Sequence, residues 1–272
     1  MPLALVTGAT SGIGRAFVRH LARTRHDLIV VARTRHRLEE LAEDLRRESG
    51  VRVEVLTADL STVEGCRSVE DRLAATPSVD LLVNNAGIML RKPFPYTDDT
   101  DEERMLAVNV RAVLRLTHAV LPAMIERRSG RIVNVASFSA HGPGGLATTY
   151  PASKSWVLAF SEAVGRSARV RRAGVRVMAL LPGFTRTELH ERSGIDLTGL
   201  PRWIWLDADR VVDAALRDLE RGRNVSVPSM RYKLAAWGLR HLPRLLLRPL
   251  SWDFSAPGGF WRPGTGRFRK SA

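Results

Sequence analysis

The 272-residue sequence has a single cysteine, Cys66, so no disulfide bond can form within the chain. It has no uncharged apolar run of about 18 residues, the length that a membrane-spanning helix needs, and we expect no such span. The N-terminal region leads directly into LALVTG without a basic segment, an apolar stretch and a cleavage site, so we expect no secretory leader. These absences favour a cytoplasmic protein.

Patterns for binding metals and nucleic acids are also missing. The 7 histidines are scattered without the spacing of metal ligands, and we expect no metal. His141 is either an exposed loop residue or a contact to a small ligand. The chain contains neither a zinc-finger spacing nor an RNA-recognition signature, so we expect no nucleic-acid partner.

Acidic residues are almost absent from the C-terminal part of the chain. Residues 221–272 contain 11 Lys or Arg and one acid, Asp253, whereas residues 1–220 contain 31 bases and 27 acids. The net charge of +14 therefore comes mostly from the last 52 residues.

Short apolar segments alternate with amphipathic ones along most of the chain. The segments that predict strands are 3–7, 28–32, 53–57, 81–84, 131–136, 175–181 and 225–228. Those that predict helices are 12–25, 35–49, 62–75, 101–127, 150–173 and 207–222. Apolar strands joined by helices are typical of a parallel sheet that is covered on both faces. We therefore predict an α/β fold, a Rossmann-type doubly wound parallel sheet of about seven strands, in one domain over residues 1–228.

A glycine-rich stretch, TGATSGIG at 7–14, follows the first predicted strand and opens the first helix. Gly8, Gly12 and Gly14 permit a tight turn and let a pyrophosphate approach the helix N-terminus, where the dipole favours anions. The same glycines could simply turn the chain. The position between strand and helix favours a dinucleotide site, which includes Thr10, Ser11 and Ile13.

Arg33 follows the second predicted strand, where this type of fold selects its dinucleotide. An acid there accepts the 2′-hydroxyl of NAD, whereas a cation accommodates the 2′-phosphate of NADP. No acid occurs in residues 28–38. Unless Arg33 is only a solvated surface charge, the sequence predicts NADP(H).

The segment YPASK places Tyr150 and Lys154 four residues apart, on one face of a predicted helix. The ammonium of Lys154 beside the phenol would lower the pKa of Tyr150 and make it a usable acid or base. Such a pair alone also occurs on ordinary amphipathic helices.

Taken together, these motifs resemble the short-chain dehydrogenase/reductase family in its compact single-domain form, over about residues 3–228. The resemblance implies that Asp59 and Leu60 contact adenine and that the NNAG motif at 84–87 holds the sheet and lines the cofactor site. It also implies that the PGFTRT segment at 182–187 binds the nicotinamide carboxamide and the pyrophosphate. The residues assigned to the cofactor from these segments are Asn85, Ala86, Gly87, Pro182, Gly183, Thr185 and Thr187.

The resemblance implies four catalytic residues: Asn109, Ser137, Tyr150 and Lys154. The serine pair usual in the family is Ala136 and Ser137 here, which keeps the catalytic member. Tyr150 would exchange the proton, Ser137 would fix the carbonyl, and Lys154 would also reach the nicotinamide ribose. Asn109 would hold a water that connects Lys154 to solvent.

The function implied is the interconversion of a ketone and a secondary alcohol by an NADP(H)-dependent enzyme. The resemblance also implies a homodimer or homotetramer. A protein that binds the dinucleotide as a scaffold or sensor, without turnover, is the alternative.

Two loops, 138–149 and 184–206, should enclose the substrate, because ligands bind beyond the carboxyl ends of parallel strands. The second is an insertion rich in apolar residues and predicts a small lipophilic ketone or alcohol. Alternatively, its aromatic residues pack on the core or on another subunit.

Beyond the predicted domain, residues 229–250 predict a basic amphipathic helix, with Pro243 breaking or kinking it. Within it, residues 231–250 either lie on an anionic membrane surface or cover the substrate site or a subunit interface. Residues 251–272, rich in Gly, Pro and Arg, are expected to form a flexible basic tail.

Overall fold

The computed structural model describes residues 1–76, 78–90, 94–141, 149–187 and 201–241. Seven parallel strands form one sheet with the order β3-β2-β1-β4-β5-β6-β7. The strands are β1 (Leu3–Thr7), β2 (Asp27–Ala32), β3 (Val53–Thr57), β4 (Leu81–Asn84), β5 (Arg131–Val135), β6 (Arg176–Leu180) and β7 (Val225–Ser226). The predicted doubly wound sheet is confirmed.

The helices follow the strands as the alternating pattern predicts. Those before β5 are α1 (Gly12–Arg23), α2 (Arg35–Ser49), α3 (Val63–Ala74), α4 (Asp99–Leu106) and α5 (Ala112–Glu126). Those after it are α6 (Thr149–Arg166), α7 (Ala168–Arg172), α8 (Ala208–Glu220) and α9 (Met230–His241). Short 3-10 turns occur at Phe94–Tyr96, Phe138–His141 and Arg202–Ile204.

Apolar side chains form a core on each face of the sheet, and a third buried cluster joins β6 to α6 and α9. One core joins β1 and β2 to α1, α2 and α8, with Phe17 as its largest fully buried side chain. The other joins the opposite face to α3 and α5, around Leu82 and Leu116. Both faces are therefore covered, which explains why the inner strands are apolar without alternation.

Two helices differ from their predicted form. The stretch predicted at 101–127 contains a π-helical turn, Ala107–Arg111, between α4 and α5. The stretch predicted at 150–173 is divided at Ser167 into α6 and α7. Hydrophobic periodicity does not reveal either interruption, because the apolar residues on both sides stay on the buried face.

The helical stretch Asp99–Glu126 is long and apolar enough, by length and composition, to cross a membrane. In the fold, 44% of its most apolar window is buried, and α5 packs beside α3 and β4. Core packing therefore accounts for its apolar composition.

The strand order across the sheet changes direction at β1. The chain adds β2 and β3 on one side of β1 and then crosses to β4 on the other. The carboxyl ends of β1 and β4 thus flank a crevice, which is where ligands bind in open parallel sheets.

The insertion predicted at 184–206 is closed at its base by backbone pairing. Leu206 N donates to Phe184 O at 2.7 Å, and Arg186 N donates to Leu206 O at 3.1 Å. Residues 188–200, which include the apolar residues Leu189, Ile195, Leu197 and Leu200 of this insertion, lie outside the described residues. Residues 142–148 of the other predicted substrate loop lie outside them as well.

Helix α9 covers the first half of the predicted C-terminal helix. It buries Tyr232 and Ala236 against the domain, whereas Leu234 and Trp237 are exposed. Residues 242–272, which include Pro243 and the predicted tail, lie outside the described residues.

Candidate active site

The glycine-rich loop packs tightly between β1 and α1. Gly8 and Gly12 have positive φ angles of 65° and 51°, a region that favours glycine. A β-carbon on Gly14 would lie 2.2 Å from Gly8 O. Ser11 caps α1 without a side-chain hydrogen bond, and the first turn contains no acid. This helix N-terminus therefore fits a pyrophosphate group.

The NNAG segment fastens that loop to the next strand. Asn85 Nδ2 donates to Thr7 O at 3.0 Å and to Gly8 O at 3.2 Å. The Thr7 hydroxyl accepts from the backbone N–H groups of Asn85 and Ala86, both at 3.0 Å. Asn84 instead bonds within the sheet, where its Nδ2 donates to Asn134 Oδ1 at 2.9 Å. The motif thus joins the two edges of the crevice.

Arg33 and Asp59 lie at the carboxyl ends of neighbouring strands, β2 and β3. Burial raises the pKa of the Asp59 carboxyl, but hydrogen bonds from Ser61 and the nearby charges of Arg33 and Arg104 outweigh burial and lower the pKa. Arg33 is exposed. The guanidinium therefore stands at the position where a 2′-phosphate is read. Leu60, the other predicted adenine contact, is buried.

The PGFTRT segment lies across the crevice from the glycine-rich loop. A β-carbon on Gly12 would lie 2.8 Å from Thr187 Cβ, so the two segments touch. Thr185 is buried, and its hydroxyl donates to Gly183 O at 3.0 Å. Pro182 O accepts from Phe138 N at 2.9 Å, which joins this segment to the loop after β5.

Ser137 and Tyr150 meet beyond the end of β5. The Ser137 side chain lies close enough to the phenol to lower the pKa of Tyr150, but burial raises this pKa by more. Burial raises this pKa to about 12. Ser137 Oγ also accepts from Ser139 N at 3.1 Å and from Ser139 Oγ at 2.9 Å. The two predicted residues thus lie side by side, with Ser137 held by Ser139.

Lys154 is buried, with 4% of its surface exposed, one helical turn after Tyr150. Its ammonium donates to Val135 O at 2.9 Å and lies 5.8 Å from the centre of the Tyr150 ring. Burial lowers the pKa of Lys154 to about 8, so the group is mostly charged at neutral pH. The sequence predicts that Lys154 lowers the pKa of Tyr150, but the burial of the phenol dominates and raises it.

Asn109 is fully buried in the π-helical turn. Its amide bonds to the backbone of Ile88 in both directions, each at 2.9 Å, and Nδ2 also donates to Ser153 Oγ at 3.2 Å. Ser153 Oγ in turn donates to Tyr150 O at 2.7 Å. A β-carbon on Gly87 would lie 3.3 Å from both Asn109 Oδ1 and Lys154 Nζ. Asn109 and Lys154 therefore meet beside Gly87, and Tyr150 is linked to them through Ser153 and through its ring contact with Lys154.

Aromatic side chains surround the loop that carries Ser137. Tyr232 meets Phe138 edge to face, with ring centres 5.0 Å apart, and Phe184 lies 6.1 Å from Trp205. The Tyr232 hydroxyl accepts from Phe184 N and donates to Ile204 O, both at 3.0 Å. Helix α9 thus ties both ends of the 184–206 insertion to the site.

Sequence reasoning missed several residues that hold this arrangement, namely Thr7, Ser139, Ser153 and Tyr232. Thr7 and Ser153 lie inside the recognised motifs TGATSGIG and YPASK, and their place there is a usable signal. Ser139 lies two residues after Ser137, and no pattern in the sequence indicates its role. Tyr232 is far away in sequence, and only the folded chain brings it to Gly183.

Comparison with known proteins agrees with this geometry. The profile of the short chain dehydrogenase family matches residues 2–197. A short-chain dehydrogenase from Sphingobium yanoikuyae, solved in complex with NADPH, is 34% identical, covers 99% of this chain and 100% of its own, and has a TM-score of 0.82. A bulky-bulky ketone specific alcohol dehydrogenase from Comamonas testosteroni is 32% identical with a TM-score of 0.76, covering 89% of this chain and 99% of its own.

Among curated relatives, a very-long-chain 3-oxoacyl-CoA reductase from Danio rerio is 34% identical over 190 residues. The match covers 68% of this chain but only 60% of that protein. The fold, the crevice and the family match over 2–197 lead to one conclusion: this chain belongs to the short-chain dehydrogenase/reductase family of oxidoreductases.

Proposed function

We propose that the protein is an NADP(H)-dependent enzyme that interconverts a ketone and a secondary alcohol, with Tyr150 as its general acid and base. The observation that carries the proposal is the Tyr150 phenol between the Ser137 side chain and the buried ammonium of Lys154. A binding protein without turnover would have no need for this arrangement.

Tyr150 supplies the proton in the reductive direction. When bound, the nicotinamide provides the hydride, which leaves negative charge on the substrate oxygen. With a pKa of about 12, the phenol is protonated at neutral pH and can donate to that oxygen. In the oxidative direction the phenol must first lose its proton, which the same high pKa disfavours.

Ser137 and Lys154 stabilise the charges that appear during transfer. The Ser137 hydroxyl, held by two hydrogen bonds from Ser139, fixes the substrate oxygen at the point where charge develops. The Lys154 ammonium favours the phenolate that remains after Tyr150 gives up its proton. Asn109 keeps the Tyr150 backbone in place through Ser153 and connects this group to the helix interior.

NADP(H) is the dinucleotide that the site fits best. The N-terminus of α1, where the N-cap Ser11 makes no side-chain cap hydrogen bond, suits the pyrophosphate, and the exposed Arg33 suits a 2′-phosphate. The NADPH complex of the Sphingobium relative supports the same assignment. Asp59 lies beside Arg33 but is engaged by Ser61, whose N and Oγ donate at 2.9 and 2.7 Å.

The substrate side of the site suits a lipophilic ketone. Phe138, Phe184, Trp205 and Tyr232 form an aromatic group next to Ser137. The relatives' names, a bulky-bulky ketone specific alcohol dehydrogenase and a very-long-chain 3-oxoacyl-CoA reductase, support a large apolar substrate. A homodimer or homotetramer remains part of the proposal.

The decisive experiment follows the loss of NADPH absorbance with a panel of aliphatic, aromatic and steroid-like ketones, with NADH in parallel. We expect turnover with a bulky apolar ketone and a preference for NADPH. Tight NADPH binding without turnover of any ketone or alcohol would instead support a sensor or scaffold, and a preference for NADH would overturn the cofactor assignment.

A further inference from the structure

An apolar stripe runs along the solvent side of α9. Met230, Leu234 and Trp237 are 66%, 67% and 62% exposed, although each is large and apolar. Their spacing of four and three residues puts them on one face of the helix. His241 continues the same face, with its ring stacked on Trp237 at a centre distance of 5.1 Å. We name Met230, Leu234 and Trp237 the α9 stripe.

The opposite face of α9 is already occupied by the domain. Tyr232 and Ala236 are buried, and the Tyr232 hydroxyl holds both ends of the 184–206 insertion. The helix is therefore fixed in place with the stripe pointing away from the domain. A partner could bind the stripe without any unfolding of the helix.

Basic residues flank the stripe on both sides. At 3.6 residues per turn, Arg231 and Lys233 leave the helix to either side of the face that Met230 and Leu234 define. Arg231 also donates to Trp203 O and lies 6.0 Å from the centre of that ring, which is itself 63% exposed. Helix α9 contains no Asp or Glu, and residues 221–272 have one acid among 11 bases.

We propose that the α9 stripe docks on the surface of an anionic lipid bilayer. Apolar side chains between flanking bases match a bilayer interface, where the apolar groups enter below the headgroups and the cations meet their negative charge. A second copy of this chain fits less well, because a two-fold contact would bring the same basic rims together. The proposal does not depend on the enzymatic function proposed above.

Vesicle co-sedimentation of the full chain tests the proposal. The vesicles are pure phosphatidylcholine, or equal parts of phosphatidylcholine and phosphatidylserine. We expect binding to the anionic vesicles only, and weaker binding as added salt shortens the Debye length from about 10 Å towards about 3 Å.

Two pairs of variants separate the apolar and the charged contributions. The double variant Leu234→Ser with Trp237→Ser should lower the partition coefficient at least about 10-fold, because two large apolar side chains no longer enter the bilayer. Its control is Val63→Ser, an exposed apolar residue on α3. Lys233→Glu should also weaken binding, whereas Arg67→Glu, the same charge change on α3, should not.

Three outcomes would overturn the proposal. The first is the absence of binding to anionic vesicles at low salt. The second is equal binding by the double serine variant and the Val63→Ser control. The third is a change of oligomeric state in the double serine variant, measured by analytical ultracentrifugation, which would assign the stripe to a contact between copies. Circular dichroism and thermal unfolding verify that each variant is folded.

Discussion

The ring of Tyr232 lies directly against Gly183, so that a β-carbon at residue 183 would fall 2.1 Å from Tyr232 Cζ. Glycine at this position therefore lets α9 reach the segment that follows β6. Through its hydroxyl, the same tyrosine fixes Phe184 N and Ile204 O. The C-terminal helix thus sets the position of a segment that the proposed cofactor site uses.

The first prediction concerns this hydroxyl. Tyr232→Phe keeps the ring against Gly183 and Phe138 but removes both hydrogen bonds. We expect the Kd for NADPH to rise about 3- to 10-fold, as the loss of a bond worth about 1 kcal/mol implies, with little change in Tm. Fluorescence titration with NADPH measures the Kd. Tyr96→Phe, the same change at a residue that is 70% exposed, is the control. Equal Kd values in the two variants would show that the hydroxyl does not position the segment.

The second prediction tests the proton donor. Tyr150→Phe should lower kcat for ketone reduction by at least about 100-fold, because the substrate oxygen then has no acid beside it. NADPH affinity should stay near the wild-type value. Steady-state kinetics and the same fluorescence titration give the two numbers, with Tyr96→Phe again as control. Retention of most of the activity would contradict the proposed mechanism.

The third prediction concerns the buried charge of Lys154. Burial lowers the pKa of this group from 10.5 to about 8, so the folded chain holds the charged form at a free-energy cost of about 3 kcal/mol at neutral pH. Lys154→Met should therefore raise the free energy of unfolding while it lowers kcat. Denaturant unfolding and steady-state kinetics on both proteins check these opposite effects.

The difference in the free energy of unfolding between Lys154→Met and wild type depends on pH, because burial lowers the pKa of Lys154. Below about pH 8 both the folded and the unfolded wild type carry the proton, and the full cost is present. Between about pH 8 and 10.5 the folded state has lost the proton that the unfolded chain still binds, so wild-type stability rises with pH. The advantage of Lys154→Met should shrink through this window. A stability difference that stays constant through this pH window would show that the buried ammonium does not cause it.

The fourth prediction addresses the cofactor. Arg33→Asp replaces a cation by an acid that repels a 2′-phosphate and accepts a ribose 2′-hydroxyl. We expect kcat/KM for NADPH to fall at least about 10-fold, the size of one charge-assisted hydrogen bond, while that for NADH rises. Arg67→Asp, the same charge change at an exposed residue on α3, is the matched control. An unchanged ratio of the two values would remove Arg33 from the cofactor site.

The sheet and the motif loops were predictable because their physics is local. Residues 3–6 are apolar and, with Thr7, become the fully buried β1, and residues 53–57 and 81–84 match β3 and β4 in their bounds. Gly8 and Gly12 adopt the positive φ angles that the turn between β1 and α1 requires. Short-range pattern and backbone sterics are enough for such features.

The parts that depend on distant contacts were not predictable. Tyr232 acts on Gly183 and Phe184 over a sequence separation of almost 50 residues, and the periodicity of α9 does not indicate which face is buried. Helix α9 buries Tyr232 and Ala236 and leaves the apolar residues Leu234 and Ala235 exposed, so the amphipathic pattern alone does not tell which side chains face the domain. The pKa of Tyr150 depends in the same way on the burial of the folded site, which spacing alone does not report.

The contact between Gly12 and Thr187 has a consequence for the synthesis of the protein. Chains leave the ribosome from the N-terminus at about 5–20 residues per second, so the glycine-rich loop is synthesised many seconds before the segment that it contacts. During that time only one side of the nucleotide cradle exists, and the core around β1 and β2 still lacks its α8 residues Val211, Val212, Ala215 and Leu219. A dinucleotide therefore stabilises the nearly complete chain and gives little help to its first half.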